Sequence, residues 1–211
     1  MEKLIGVAGL WKMLDKYRQK AEDILEPLAK RMSIEANILT YLSLIFAVMA
    51  GLAAFFSFKE KWLLLPASFF ILLNGFFDAL DGKIARMKGK AGKKGDFIDH
   101  AIDRFSDVLI IGGIVASPWV NKVVGIAAMA AILLVSYLGT QAQAVGYKRV
   151  YAGILGRADR IVILFIACII QFFMPQQIYG FYFMEWIMFY FIIAGIATIL
   201  QRYHAVMKWL G

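Results

Sequence analysis

The sequence predicts an all-α integral membrane protein, with six transmembrane helices preceded by an amphipathic interfacial helix on the cytoplasmic side. Three observations predict it. Of 211 residues, 61% are hydrophobic and 18% charged, with a mean hydropathy of +0.69; a soluble domain carries more charge and fewer large apolar side chains. The apolar residues fall in six runs, 36–58, 62–77, 105–121, 123–147, 161–174 and 178–201, interrupted by Asp, Glu, Lys or Arg only at Asp107 and Glu185. The 23 Lys and Arg residues gather in alternate gaps between those runs. One membrane domain, 1–211, accounts for the chain: a juxtamembrane segment over 1–35 and a core over 36–211.

The first segment is too polar to hold the apolar stretch of a cleaved signal peptide. Leu10, Trp11, Leu14, Tyr17, Ala21, Leu25 and Leu28 recur at helical spacing among Lys12, Lys16, Arg18 and Lys20. That pattern suits a helix lying in the membrane surface; an ordinary helix packed on the rest of the protein would show it too. The six runs that follow must be helices if they cross lipid, because backbone groups find no water there. A span takes roughly 20 apolar residues. Two of the runs are shorter, and each adjoins a charged stretch that can continue the same helix.

Orientation follows from the cations. Seven precede residue 36, six lie between 83 and 94, and Arg104 follows; Lys148, Arg149, Arg157 and Arg160 fill a later gap, and Arg202 and Lys208 sit near the end. Only Lys59, Lys61 and Lys122 occupy the alternate loops. By the positive-inside bias both termini and the acid-rich loop are cytoplasmic, in a multi-pass protein of the cell membrane. The net charge of +8 then reflects topology and attraction to membrane lipids with anionic head groups. No nucleic-acid partner is expected, since no base-reading or aromatic-stacking motif accompanies it. Cys168, the one cysteine, is expected to serve packing.

The stretch DALDGKIARMKGKAGKKGDFIDHAIDR, residues 78–104, carries the chemistry. Asp78 and Asp81 are three apart at the end of the second helix, and Asp99 and Asp103 four apart at the start of the third. Each spacing puts two carboxylates on one helix face. With the two helices as antiparallel neighbours, four anions face each other beside a low-dielectric slab and repel strongly. A cation must sit between them. Hard oxygen ligands point to Mg²⁺, Mn²⁺ or Ca²⁺, and four carboxylates suffice for two ions of the kind used on phosphoryl groups. Gly82 gives a phosphate or nucleotide close access to the helix backbone, and Gly95 does the same or simply turns the chain. Arg86, two turns beyond Asp78, shares the acidic face, where a guanidinium can clamp a diphosphate.

Written with its gaps, the stretch is Asp78-x2-Asp81-Gly82-x2-Ala85-Arg86-x8-Gly95-x3-Asp99-x3-Asp103. It resembles, at every fixed position, the signature of the CDP-alcohol phosphotransferase family of integral membrane enzymes. The resemblance implies phospholipid synthesis: a small polar acceptor attacks the lipid-side phosphorus of a CDP-linked lipid, and CMP leaves. It implies Asp78, Asp81 and Asp99 as ligands of two divalent cations, Mg²⁺ or Mn²⁺, and Asp103 as ligand, general base or both. It also implies Gly82, Ala85 and Arg86 at the CMP and diphosphate, and Asn37 and Thr40 of ANILT resemble the family's first-helix motif beside the nucleotide. A homodimer is implied as well. The small residues Gly112, Gly113, Ala127, Ala128, Ala130 and Ala131 suit such a contact, or packing within one subunit.

For the acceptor, the segment 136–160 offers Thr140, Gln141, Lys148, Arg157 and Arg160. Converging arginines suit a phosphate on the acceptor better than a neutral alcohol; simple positive-inside anchoring is the alternative. An arginine pair opening the fifth helix resembles the inositol-phosphate-using branch of the family. TQAQA followed by GRADR is most similar to its archaeal members, the archaetidylinositol phosphate synthases, which join CDP-archaeol to myo-inositol 1-phosphate. Where bacterial members carry basic residues after a Ser-Tyr pair, this chain has Gly139 and Gln141. Arg202 is a third candidate for the acceptor phosphate. Glycerol 3-phosphate is an equally phosphorylated alternative acceptor. Outside enzymes, a divalent-cation transporter also gathers intramembrane acids, but near the midplane on several helices; here they cluster at one boundary.

Overall fold

The computed structural model describes residues 25–32, 34–88, 92–147, 150 and 153–211. Six long helices make up most of it: α1 (Ala36–Phe56), α2 (Leu64–Met87), α3 (Lys93–Ala116), α4 (Lys122–Ala144), α5 (Arg157–Phe173) and α6 (Phe183–Leu210). A single 3₁₀ turn, Lys61–Leu63, leads into α2. No strand occurs among the described residues. Most of each apolar run thus lies in one helix, and α2, α3 and α5 extend into the neighbouring charged stretches.

Four of the helical stretches are long and apolar enough to cross a membrane: α1, the turn with α2, α4 and α6. Charge and length set the other two apart. Asp96, Asp99, Asp103, Arg104 and Asp107 occupy the first two-thirds of α3, and α5 has 17 residues opening with Arg157, Asp159 and Arg160. These two helices hold the ionic residues at the end where the acids cluster.

The expected interfacial helix falls mainly on residues 1–24, outside the described residues. Residues 25–31 are helical, and their Ala29 is buried with Leu39, Leu80 and Ile84 of α1 and α2. Glu26 bridges Lys30 at 2.7 Å and Lys83 of α2 at 3.2 Å. Its hydrogen bond to Lys30, reinforced by Lys83, holds its carboxyl below the ordinary value. This last part of the segment is therefore tied to the helical core.

α1 packs along both α2 and α3, whereas α2 and α3 meet over a short stretch only. The α1–α3 crossing is a backbone contact: a Cβ on Gly113 would overlap the carbonyl of Gly51, and one on Gly51 would overlap that of Leu109. α4 packs on α6 and α5 on α2. Of the small residues on α3 and α4, Gly113, Ala128 and Ala131 are used inside the chain, Ala131 against Gly195. Ala127 and Ala130 stay exposed, and a Cβ on Gly112 would meet nothing within 4 Å.

Candidate functional site

α2 and α3 bring their acids together. Asp78, Asp81 and Asp99 each place a carboxylate oxygen within 4.8 Å of the others, and an imidazole nitrogen of His100 lies within the same distance of carboxylate oxygens of Asp99 and Asp103. Asp81 and Asp103 are 3% and 7% exposed; Asp78 and Asp99 are half-buried. Among the described residues, Asp78 Oδ1 and Asp81 Oδ2 are buried without a hydrogen-bond partner. A buried carboxylate oxygen needs a donor or a cation. An all-oxygen donor set with such oxygens fits Mg²⁺ or Mn²⁺.

Beside the acids lies a cleft of about 840 Å³. α1 contributes Asn37 and Thr40, α2 contributes Asp81, Gly82, Ala85 and Arg86, and Gly95 and Asp99 come from the start of α3. Every residue assigned to the nucleotide from sequence lines this one cleft. A Cβ on Gly82 would touch only Arg86 Nη1, at 3.3 Å, and one on Gly95 would meet nothing. Neither glycine is forced by packing, so what each gives is an open cleft wall. Thr40 also donates to Ala36 O at 3.2 Å, a helix back-bond.

The acceptor candidates divide. Arg157 and Arg160, three apart at the start of α5, come to the carboxylates. Arg157 forms an ion pair with Asp78 and sits 2.8 Å from Asp103 Oδ1. Arg160 donates to Asp107 Oδ2 at 2.7 Å. α5 starts there because Asp159 Oδ2 accepts from Gly156 N at 2.8 Å, capping its first turn. Arg202, buried on α6, donates to Val135 O of α4 at 2.5 Å, and its guanidinium packs where Gly139 has no side chain. Thr140 lines a smaller pocket of about 240 Å³ between α3 and α4, with His100, Arg104 and Ser136. Gln141 is exposed near the end of α4. Lys148 lies outside the described residues.

Sequence reasoning assigned no partner to Asp107, Arg104, His100 or Asn74. Asp107 extends Asp99 and Asp103 by one more four-residue step, so α3 presents a ladder of three carboxylates that α5 meets with two arginines. Arg104 reaches Asp103 at 3.4 Å and Asp107 at 3.5 Å. His100 stands beside Asp96 at 3.2 Å and Asp99 at 3.5 Å. Asn74, four residues before Asp78, donates to Ser43 O at 2.9 Å and Ser106 Oγ at 3.3 Å, tying α2 to α1 and α3.

Comparison with known proteins bears on the family and the fold. A family model described as CDP-alcohol phosphatidyltransferase matches residues 33–206. The archaetidylinositol phosphate synthase of Pyrococcus horikoshii is 34% identical over 155 residues, covering 74% of this chain and 81% of its own. The crystal structure of Mycobacterium tuberculosis phosphatidylinositol phosphate synthase with CDP-DAG bound superposes with a TM-score of 0.70 at 22% identity, over 87% of this chain and 94% of that one. The same enzyme in complex with manganese and citrate gives 0.70 at 21%, over 87% and 88%. At that identity the structural likeness establishes a shared fold.

Proposed function

The chain belongs to the CDP-alcohol phosphatidyltransferase family, and on that premise we propose that it transfers the archaetidyl group of CDP-archaeol to a hydroxyl of myo-inositol 1-phosphate, releasing CMP. The observation that carries the reading is the junction of three parts: clustered carboxylates, an adjoining cleft open at Gly82 and Gly95, and the arginine pair that opens α5, with Arg157 on Asp78 and Asp103 and Arg160 beside it on Asp107.

Asn37, Thr40, Gly82, Ala85 and Gly95 would receive the CMP, with Arg86 on the diphosphate. Two divalent cations held by Asp78, Asp81, Asp99 and Asp103 would supply charge neutralisation and alignment of the diphosphate. Asp103 takes the proton of the attacking hydroxyl. A new phosphorus–oxygen bond then forms to the inositol ring as the bond to CMP breaks. Arg157 and Arg160, with Arg202, Thr140, Gln141 and Lys148, form the acceptor side, where guanidinium forks suit a phosphate. The named relative is an archaetidylinositol phosphate synthase, which favours this acceptor.

The same reading places the protein in the cell membrane as one six-span domain, residues 1–211. Both termini and the cleft face the cytoplasm, on the strength of the Lys and Arg distribution. The assembled form is a homodimer, with the exposed Ala127 and Ala130 of α4 available to the contact.

The test is CMP release by the purified protein with CDP-archaeol and Mg²⁺ or Mn²⁺, with inositol 1-phosphate, glycerol 3-phosphate, free inositol or serine as acceptor. Release driven by inositol 1-phosphate alone supports the proposal. Release driven by glycerol 3-phosphate keeps the chemistry and overturns the acceptor.

A further inference from the structure

Arg157 and Arg160 reach the carboxylates only if the connector between α4 and α5 ends in the right register. The last residues of that connector are held by the burial of Leu155 in the core and by one polar side chain. Gly153 has φ +140°, a conformation other residues rarely adopt, and Leu155 is fully buried. A buried backbone N–H without an acceptor is costly. Here one buried and one part-buried N–H share one side chain. Ile154 N and Leu155 N both donate to Thr198 Oγ1, each at 3.1 Å.

Thr198 lies in the middle of α6 and has no exposed surface. Its hydroxyl donates to Ala194 O at 2.7 Å, so its one proton and both lone pairs are engaged. That leaves one rotamer. Its methyl sets the other boundary, because a Cβ on Gly153 would overlap Thr198 Cγ2. One residue after Leu155, Gly156 N bonds Asp159 and α5 begins at Arg157. Four residues after Thr198, on the same face of α6, comes Arg202, buried against Val135 O.

We propose that Thr198 is a positioning residue for acceptor binding: its hydroxyl pins Ile154 and Leu155 and so fixes where Arg157 and Arg160 enter the site. The identity of what those arginines bind rests on the function proposed above. A side chain that only stabilised the fold would weaken both substrates alike. A pin for the α5 entry affects the acceptor, because the CDP-lipid cleft is built from α1, α2 and the start of α3.

Thr198→Val keeps the volume and removes the hydroxyl, and Thr198→Ser keeps the hydroxyl. Both are made in the full chain and assayed by CMP release with Mn²⁺, varying inositol 1-phosphate and CDP-archaeol separately. Thr198→Val is expected to raise the acceptor KM by about tenfold to a hundredfold while the CDP-archaeol KM stays within about twofold. Thr198→Ser should return the acceptor KM to within about threefold of wild type. Equal effects on both substrates, or a serine variant no better than valine, would overturn the proposal. Thr198→Ala serves the same comparison if the valine variant does not fold. The wild type judges the underlying reading separately. Should glycerol 3-phosphate drive release instead, the split is measured with that acceptor. Should no acceptor work, hydrogen exchange at the Ile154 and Leu155 amides decides: fast only without the hydroxyl supports the pin, and unchanged exchange overturns it.

Discussion

Arg160 donates to Asp107 Oδ2 at 2.7 Å across the α3–α5 contact, with the two side chains only 3% and 9% exposed. Removing one partner of such a pair leaves the other charge buried and uncompensated. Asp107→Ala should therefore destabilise the protein by about 3–5 kcal/mol, read as a lower midpoint of thermal unfolding in detergent. Replacing both residues with leucine should recover most of the loss, since burial of unpaired charge is the dominant cost. A single variant as stable as wild type would mean that water or another group already screens the guanidinium.

The carboxylates of α2 and α3 make separable predictions. Asp78→Ala, Asp81→Ala or Asp99→Ala should lower metal-dependent CMP release by about a hundredfold or more, and should weaken Mn²⁺ binding measured by calorimetry on the purified protein. Asp103→Asn should lose turnover while retaining part of its CDP-lipid binding, because the amide cannot take a proton yet fills the same space. A chelator should abolish release, and added Mg²⁺ or Mn²⁺ should restore it. Full activity in any of the four variants would remove that position from the metal site.

These acids were legible in the sequence because helical spacing alone brings Asp78 to Asp81 and Asp99 to Asp103. The helices were legible because hydropathy fixes a span wherever charge is absent. α3 and α5 carry charge into their first turns, so hydropathy describes them less well. The pairing of Asp107 with Arg160 joins residues 53 apart in sequence and depends on which helices become neighbours. A local sign existed all the same: an isolated acid in an apolar run, one four-residue step past Asp103. Thr198 gave no such sign. A threonine within an apolar helix reads as packing until the connector it holds is seen.

The α1–α3 crossing predicts opposite outcomes for two adjacent glycines. Gly113→Ala would drive a methyl group into the Gly51 backbone, which cannot retreat without shifting α1. Overpacking of this kind costs about 1–3 kcal/mol or more. Gly112→Ala meets nothing within 4 Å and should be neutral or slightly stabilising, since alanine favours helix over glycine. Thermal unfolding of the two variants side by side checks the crossing. Equal destabilisation by both would mean that Gly112 is covered in the assembled protein, as a dimer contact on that face requires.

Gly139 of α4 has a physical role in placing Arg202. A Cβ there would stand 2.8 Å from Arg202 Nη1 and 3.3 Å from Val150 O. The guanidinium therefore occupies the space a side chain would take, and from it reaches Val135 O. Adding a cation at 139 is not a gain for an anionic acceptor if it evicts the cation already there. Gly139→Ala should raise the acceptor KM severalfold with little change in the CDP-lipid KM. Gly139→Lys should raise it further, because like charge is added to the steric conflict. Acceptor titrations of both variants decide the matter. A lysine variant that binds the acceptor more tightly would show that Arg202 can move aside, and that its contact with Val135 does not set the site.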